Sequence, residues 1–521
     1  MARSGREDAR RIRVETYAFF FLLFAAILFL AHLPLLNLPY FWDEAGQFIP
    51  SALDLLHGGS WISHSTAPNI HPPGVIAYLA AFWGVAGYNP WATRAAMLLL
   101  ASFAMLAAFL LAIELSREVK GAPAFLAVAL LCVSPLFFAQ SMLAQLDAPA
   151  MLFTCLALLL FLQDRIVWSA AACVALVLVK ETGLVAPLVF AAWLSWERRW
   201  RDAAWFAVPA LVLGAWIAIL YFSTGHWTGN VEFARFNLYY PMHPMRLGMA
   251  LARRLYYLFG ANFHWIGALA ILYAWRKSRL YTTRSWRVAW TLAAAHVVLV
   301  SLLGGAVLER YLLPVMPIVY SAMVAGFSLL RPLPQLACAA AMVTGMAVSN
   351  FVNPPYPFPY EDNLAFADFV RLQAEAADYL EHWHPSARVS TVWPLTLELA
   401  HPELGFVSRR LAVKSLRNFA PETLAAIDWK NEQVVVVYSR TWDPSLSVMH
   451  FGPVLRVWRH FYGYLPNATM DQARALAPFP IQQHFERHGQ WLDIYVNPAL
   501  PPAIPGPGGL PAVRVSAHSI P

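Results

Sequence analysis

Charge is scarce in this chain. Only 13% of its 521 residues are Asp, Glu, Lys or Arg, whereas soluble proteins carry about 25%. That poverty excludes disorder, a coiled coil and an ordinary cytosolic enzyme. Cysteine is scarcer still. Its four residues, Cys132, Cys155, Cys173 and Cys338, all sit inside apolar runs. No disulfide framework can therefore staple the C-terminal part, and no spacing suits a metal site. They read as small core residues.

Hydrophobic residues are abundant, at 59% of the chain. They gather in runs at 17–37, 92–113, 122–139, 147–162, 166–179, 183–196, 203–222, 258–275, 288–303, 311–330 and 334–350. Most approach the ~20 residues that cross the hydrocarbon core as a helix. The fold class expected is a mainly α, polytopic membrane protein with about eleven spans, extracytoplasmic interfacial helices and a smaller C-terminal α/β domain. The first run is long and lacks a small-residue cleavage site, so it reads as a retained signal anchor.

Lys and Arg set the orientation. With the N-terminus cytoplasmic, 17 of the 24 basic residues in 1–350 fall in inside loops, as the positive-inside rule requires. An odd span count then puts everything after Asn350 outside. The net charge of +7 thus belongs to membrane topology and gives no footprint for nucleic acid.

Composition changes near residue 350. Asn353-Pro354-Pro355-Tyr356-Pro357-Phe358-Pro359 is a stiff, extended stretch. The division expected is a membrane domain (1–350), a Pro-rich linker (351–361), an extracytoplasmic α/β domain (362–497) and a disordered Pro/Gly-rich tail (498–521). An amphipathic helix is expected over 362–382, with strands at Arg388–Trp393, Val434–Tyr438 and Trp491–Val496.

Charges that survive beside the membrane are informative. Asp43 and Glu44 follow the first run and precede an expected interfacial helix, Gln47–Leu56. Helix capping would account for them. Asp147 begins a span and could also be an N-cap. His71 stands before Pro72-Pro73, where a helix can start without amide donors. Lys180 and Glu181 interrupt two half-length apolar runs, a pattern tolerated at membrane depth only beside a cavity. Glu309 and Arg310 lie outside, against the charge bias, just before Tyr311. All five constellations share one expected face of the membrane, which argues for an active site there.

The ordered set resembles the GT-C glycosyltransferases, in particular the group related to protein O-mannosyltransferases and to the aminoarabinose transferases of lipid A. The resemblance is carried by Trp42-Asp43-Glu44, His71-Pro72-Pro73, Leu146-Asp147-Ala148-Pro149, Val179-Lys180-Glu181-Thr182-Gly183 and Glu309-Arg310-Tyr311-Leu312-Leu313-Pro314. At Ile70-His71 the chain departs from relatives that place Glu or Lys before Pro-Pro. Residues 351–521 match no such pattern.

The resemblance implies a polyprenyl-phosphate sugar donor and an acceptor hydroxyl or amine on a lipid, glycan or protein. It implies action at the outer face of a bacterial cytoplasmic membrane, with the C-terminal domain periplasmic. Asp43 would be the base and Glu44 its secondary partner. Arg310 and Lys180 would meet the donor phosphate, with Asp147, Glu181, Tyr311 and His71 also binding substrate. The resemblance fixes no cofactor and leaves a divalent cation open. The rival readings are a lipid or solute transporter, which would spread ionisable groups along its path, and a non-catalytic scaffold.

Overall fold

The computed structural model describes residues 2–499 apart from 118, 120, 445 and 446. The tail expected to be disordered lies, from 500 onward, outside the described residues. The chain forms two compact units. One comprises the chain up to Ala367 together with Thr441–Tyr464, and the other comprises Asp368–Arg440 and the chain from Leu465.

All eleven apolar runs of the first unit are helical, but they are not eleven equal spans. Six helices are long and apolar enough to cross a membrane: Glu15–Leu35, Pro90–Leu115, Trp200–Thr224, Arg284–Leu302, Glu309–Phe327 and Pro332–Ser349. The count reaches seven if the bent pair Pro244–Phe259 and His264–Lys277 is one span. The chain is a multi-pass integral membrane protein.

The shortfall from eleven has local causes. Pro135 divides the run 122–139 into helices Ala124–Val133 and Pro135–Gln140, because its ring cannot donate to the preceding turn. Lys180 adopts extended backbone (φ −151°, ψ 129°) between Ile166–Val179 and the short turn Glu181–Leu184. The run 258–275 fails as one straight span. Asn262 and Phe263 take positive φ, and the helices on either side meet at 88°.

Burial separates the helices by role. The apolar stretch of Glu309–Phe327 is 94% buried inside the protein, against 22% for both Glu15–Leu35 and Pro332–Ser349. The outer helices present Leu22, Leu211, Phe222 and Leu333 outward, as lipid-facing helices must. The central helix is approached closely through glycine. A Cβ on Gly326 would stand 2.7 Å from the Ala270 carbonyl oxygen, a contact typical of small-residue packing between membrane helices. This packing holds the helix that carries Arg310 in its first turn.

The second unit contains a five-stranded sheet of order β2-β1-β3-β5-β4. Its strands are β1 (Arg388–Thr391), β2 (Ala412–Ser415), β3 (Val434–Tyr438), β4 (Ile481–Arg487) and β5 (Gln490–Val496). β1 pairs parallel with β2 and β3, while β5 pairs antiparallel with β3 and β4. Val434–Tyr438 is buried throughout, which explains its unbroken apolar sequence at the sheet centre. The sequence shows three of these strands and misses β2, which is largely exposed, and β4, none of whose residues is buried. The expected amphipathic helix runs Ala365–Trp383.

Gly326→Ala should destabilise the protein by about 1–3 kcal/mol, the usual cost of overpacking. A thermal unfolding midpoint in detergent equal to the parent's would show that the two helices can move apart without loss.

Candidate active site

Helix ends bring the site together. Glu44 lies in a π-helical turn, Glu44–Phe48, that leads into helix Ile49–Gly58. Its carboxylate is fully buried. Oε2 accepts from the Phe41 amide at 2.9 Å and Oε1 from the Ala144 amide at 2.5 Å. Oε1 also pairs with Arg94, whose guanidinium donates to the Pro39 carbonyl at 2.9 Å and the Met142 carbonyl at 3.2 Å. Glu44 therefore fastens three chain segments and has no open face. The sequence pairs it with Asp43 in catalysis, but its geometry is that of a structural ion pair.

Asp43 is placed differently. It occupies the position before the helical turn, yet its side chain makes no capping hydrogen bond. Its Oδ2 accepts from Arg310 instead. The Asp43 side chain is 29% exposed, compared with 3% for Asp147 and Glu361. It is the accessible acid of this group.

Arg310 is the hub. Its Nη1 donates to Gln145 Oε1 and lies 3.2 Å from Glu361 Oε2. Its Nε stands 3.5 Å from Asp147 Oδ2. Asp147 opens helix Asp147–Leu162 without serving as its N-cap, and its Oδ1 accepts from Lys180 Nζ at 2.5 Å. Lys180 Nζ also sits 4.1 Å from the centre of the Tyr311 ring, within cation–π range. One network thus joins Asp43, Asp147, Lys180, Arg310 and Tyr311.

Two predicted residues stand a step aside. His71 Nδ1 and Glu181 Oε2 are 2.8 Å apart and form their own pair. Trp216 Nε1 fixes the His71 segment by donating to the Ile70 carbonyl at 2.9 Å. Glu181 follows Lys180 in the chain, so this pair anchors the turn that presents the lysine.

Sequence reasoning missed several members. Gln145 belongs to the network through Arg310. Glu309 turns away from it and accepts from Arg253 Nε at 2.5 Å. Glu361 and Asp362 are the only acids in 351–367, and that pairing just beyond the Pro-rich stretch was the available signal. Burial pushes the Glu361 carboxyl up to about 7, against the pull of Arg310. Burial outweighs the ion pair because one guanidinium serves several acids. Asp362 is raised well above the carboxylate range, first by burial and then by Glu309 and Glu361 beside it. Among the described residues, no three His, Cys, Asp or Glu side chains are grouped to hold a metal ion. Asp43, Asp147 and Glu361 converge on the guanidinium of Arg310 instead.

No family model matches the chain, and no curated protein matches it in sequence. Its fold is nevertheless found among solved structures. ArnT from Cupriavidus metallidurans bound to undecaprenyl phosphate aligns at a TM-score of 0.54 with 14% identity, covering 94% of this chain and 99% of that one. The apo form of the same enzyme aligns at 0.52 with 13% identity, covering 92% and 98%. The archaeal oligosaccharyltransferase AglB from Archaeoglobus fulgidus, in complex with an inhibitory peptide and a dolichol-phosphate, aligns at 0.48 with 11% identity, covering 95% and 77%. Over nearly the whole chain the fold is therefore like that of ArnT.

Glu361 supplies a pH-dependent test. Its folded carboxyl keeps a proton up to about pH 7, whereas its ordinary value is 4.5. The folded state therefore binds more protons across that window, and stability falls as pH rises through it. Glu361→Gln should flatten this slope when unfolding is followed from pH 4.5 to 7.5. Parallel curves for parent and variant would show that Glu361 ionises as a free glutamate does.

Proposed function

We propose that this protein is a membrane glycosyltransferase that moves a sugar from a polyprenyl-phosphate donor to an acceptor hydroxyl or amine. The carrying observation is the network in which Arg310 draws Asp43, Asp147 and Glu361 together and leaves Asp43 as the accessible acid. The fold shared with ArnT, solved with undecaprenyl phosphate, supports the donor class. The positive-inside bias supports a site at the outer face of the cytoplasmic membrane and a periplasmic C-terminal domain.

In this reading the acceptor oxygen or nitrogen attacks C1 of the donor sugar, and the C1–O bond to the lipid phosphate breaks. Asp43 takes the acceptor proton. Polyprenyl phosphate leaves with its electron pair and needs no general acid. Developing negative charge on that phosphate is met by Arg310 and Lys180. Proton uptake neutralises Asp43, which frees part of the Arg310 charge as the leaving group requires it. Asp147 holds Lys180, Tyr311 carries its ammonium, and the His71–Glu181 pair keeps the lysine turn in position. Glu44 acts at one remove by fixing the segment that bears Asp43.

The test is transfer of radiolabelled sugar from polyprenyl phosphate to a membrane extract by the purified protein, repeated with Asp43→Asn. That change keeps side-chain volume and removes the proton acceptor, so turnover should fall by about 10²–10⁴-fold with the unfolding midpoint near the parent's. Glu44→Gln should instead lower stability, because it leaves Arg94 buried without its counter-charge. Near-parental turnover in a folded Asp43→Asn protein would remove Asp43 from the chemistry. Absence of transfer from any polyprenyl-phosphate sugar would overturn the donor class.

A further inference from the structure

A short turn, Tyr360–Asp362, sets two consecutive acids against the consecutive pair Glu309 and Arg310. Glu361 Oε2 lies 3.2 Å from Arg310 Nη1, and the Asp362 and Glu309 carboxyls hydrogen-bond each other. Two carboxyls can do so only when one of them keeps a proton. The turn is anchored from behind by Gln140, whose Nε2 donates to the Glu361 carbonyl at 3.2 Å. Helix Pro135–Gln140, which packs on this turn, brings no charged residue to it.

The charges that face Glu361 can all be named. Arg310 is the cation in contact with it. Asp43, Asp147 and Glu309 are the acids around it, with Asp362 next in the chain. Of the other cations, Arg253 is taken by Glu309 and Lys180 by Asp147. Arg310 therefore serves several acceptors with a fixed set of donors. Nη2 goes to Asp43, Nη1 is divided between Gln145 and Glu361, and Nε stands 3.5 Å from Asp147. Glu361 Oε1 is buried and has no hydrogen-bond partner among the described residues. A buried carboxylate with one oxygen bare takes up a proton readily, in agreement with the upward push of burial on this group.

The proton on Glu361 decides how Arg310 is shared. With the proton in place Glu361 is a neutral neighbour, and the guanidinium charge falls on Asp43 and Asp147. With the proton lost to solvent, Glu361 competes for Nη1 and adds a negative charge to the same centre. A carboxylate that is held less by a cation and crowded by a second anion is the better proton acceptor. Asp43, the accessible acid, is the one that gains.

We propose that Glu361 is a positioning residue that regulates the base: once ionised, it draws the Arg310 guanidinium from Asp43 and releases that carboxylate to take the acceptor's proton. Glu361 touches no substrate and acts only through Arg310. The consequence for turnover rests on the transferase reading above; the exchange of Arg310 between the two acids does not.

Two measurements on the full chain in nanodiscs test this. The first, infrared difference spectroscopy across neutral pH, needs no substrate. The parent should lose a protonated-carboxyl band at about pH 7, together with a change in the guanidinium bands. Glu361→Gln, which imitates the protonated acid and keeps an acceptor for Arg310, should abolish both, and Arg310→Lys should abolish the guanidinium change. A carboxyl band that survives in Glu361→Gln, or a guanidinium change that survives in Arg310→Lys, would overturn the proposal. The second is turnover against pH at saturating donor and acceptor. The parent should speed up roughly three- to tenfold through the same window, as a stronger base predicts, while Glu361→Gln holds the low-pH rate throughout. Parallel profiles would overturn the proposal, because a packing role scales the rate equally at every pH. The expected spectra in a protein that transfers nothing from polyprenyl donors would sustain the exchange of Arg310 and remove the transferase reading alone.

Discussion

A guanidinium buried to 5% exposure must be matched by acceptors, because the loss of hydration is otherwise several kcal/mol. Arg310 meets that demand with groups drawn from three distant segments, Asp43, Gln145 with Asp147, and Glu361, and with the ring of its neighbour Tyr311. The rest of the site follows from this single requirement. The central helix carries the arginine into the protein, and the ends of the surrounding helices bring the acids to it. Asp147 is shared with Lys180, so the second cation is tied to the same centre.

Adjacent acids in this chain have opposite fates for a physical reason. Asp43 and Glu44 follow one another where the chain turns from a span into a helix. At that turn one side chain faces the protein and the other faces Arg310 and the opening. Glu44 finds two backbone amides and Arg94, so its charge is spent on holding the turn. A similar division separates Glu309 from Arg310, one residue taken by Arg253 and the other ordering the acids. Neighbouring residues thus take different partners, one holding the turn and the other joining the Arg310 network.

Much of this was legible in the sequence. Scarce charge and long apolar runs gave a helical membrane protein, and the positions of Asp43, Asp147, Lys180 and Arg310 at run boundaries marked residues that the fold gathers. Pairing was not legible, because Glu361 lies 51 residues from Arg310 and nothing in their spacing links them. By residue type and position alone Asp43 and Glu44 both suit a helix start, and only the family resemblance put Asp43 first. The eleven runs were correctly read as helices, and the two beside Lys180 as short ones; the effect of Pro135 and the 88° bend after Phe259 depend on backbone geometry that hydropathy does not carry. The return of Thr441–Tyr464 to the first unit was invisible for the same reason, its place being set by hydrogen bonds to Arg246, Tyr240 and Phe358.

The central claim is that Arg310 acts by ordering Asp43, so that the two residues work as one unit in turnover. A double-mutant cycle with Asp43→Asn and Arg310→Lys, measured on sugar transfer at saturating donor, reads this directly. Lysine keeps the charge but lacks the planar fork that can serve several acids at once. Residues that function as a unit are strongly non-additive, so the double variant should be about as slow as the slower single variant. Penalties that simply multiply would show that the two side chains act independently and that the buried guanidinium is a packing element of the fold.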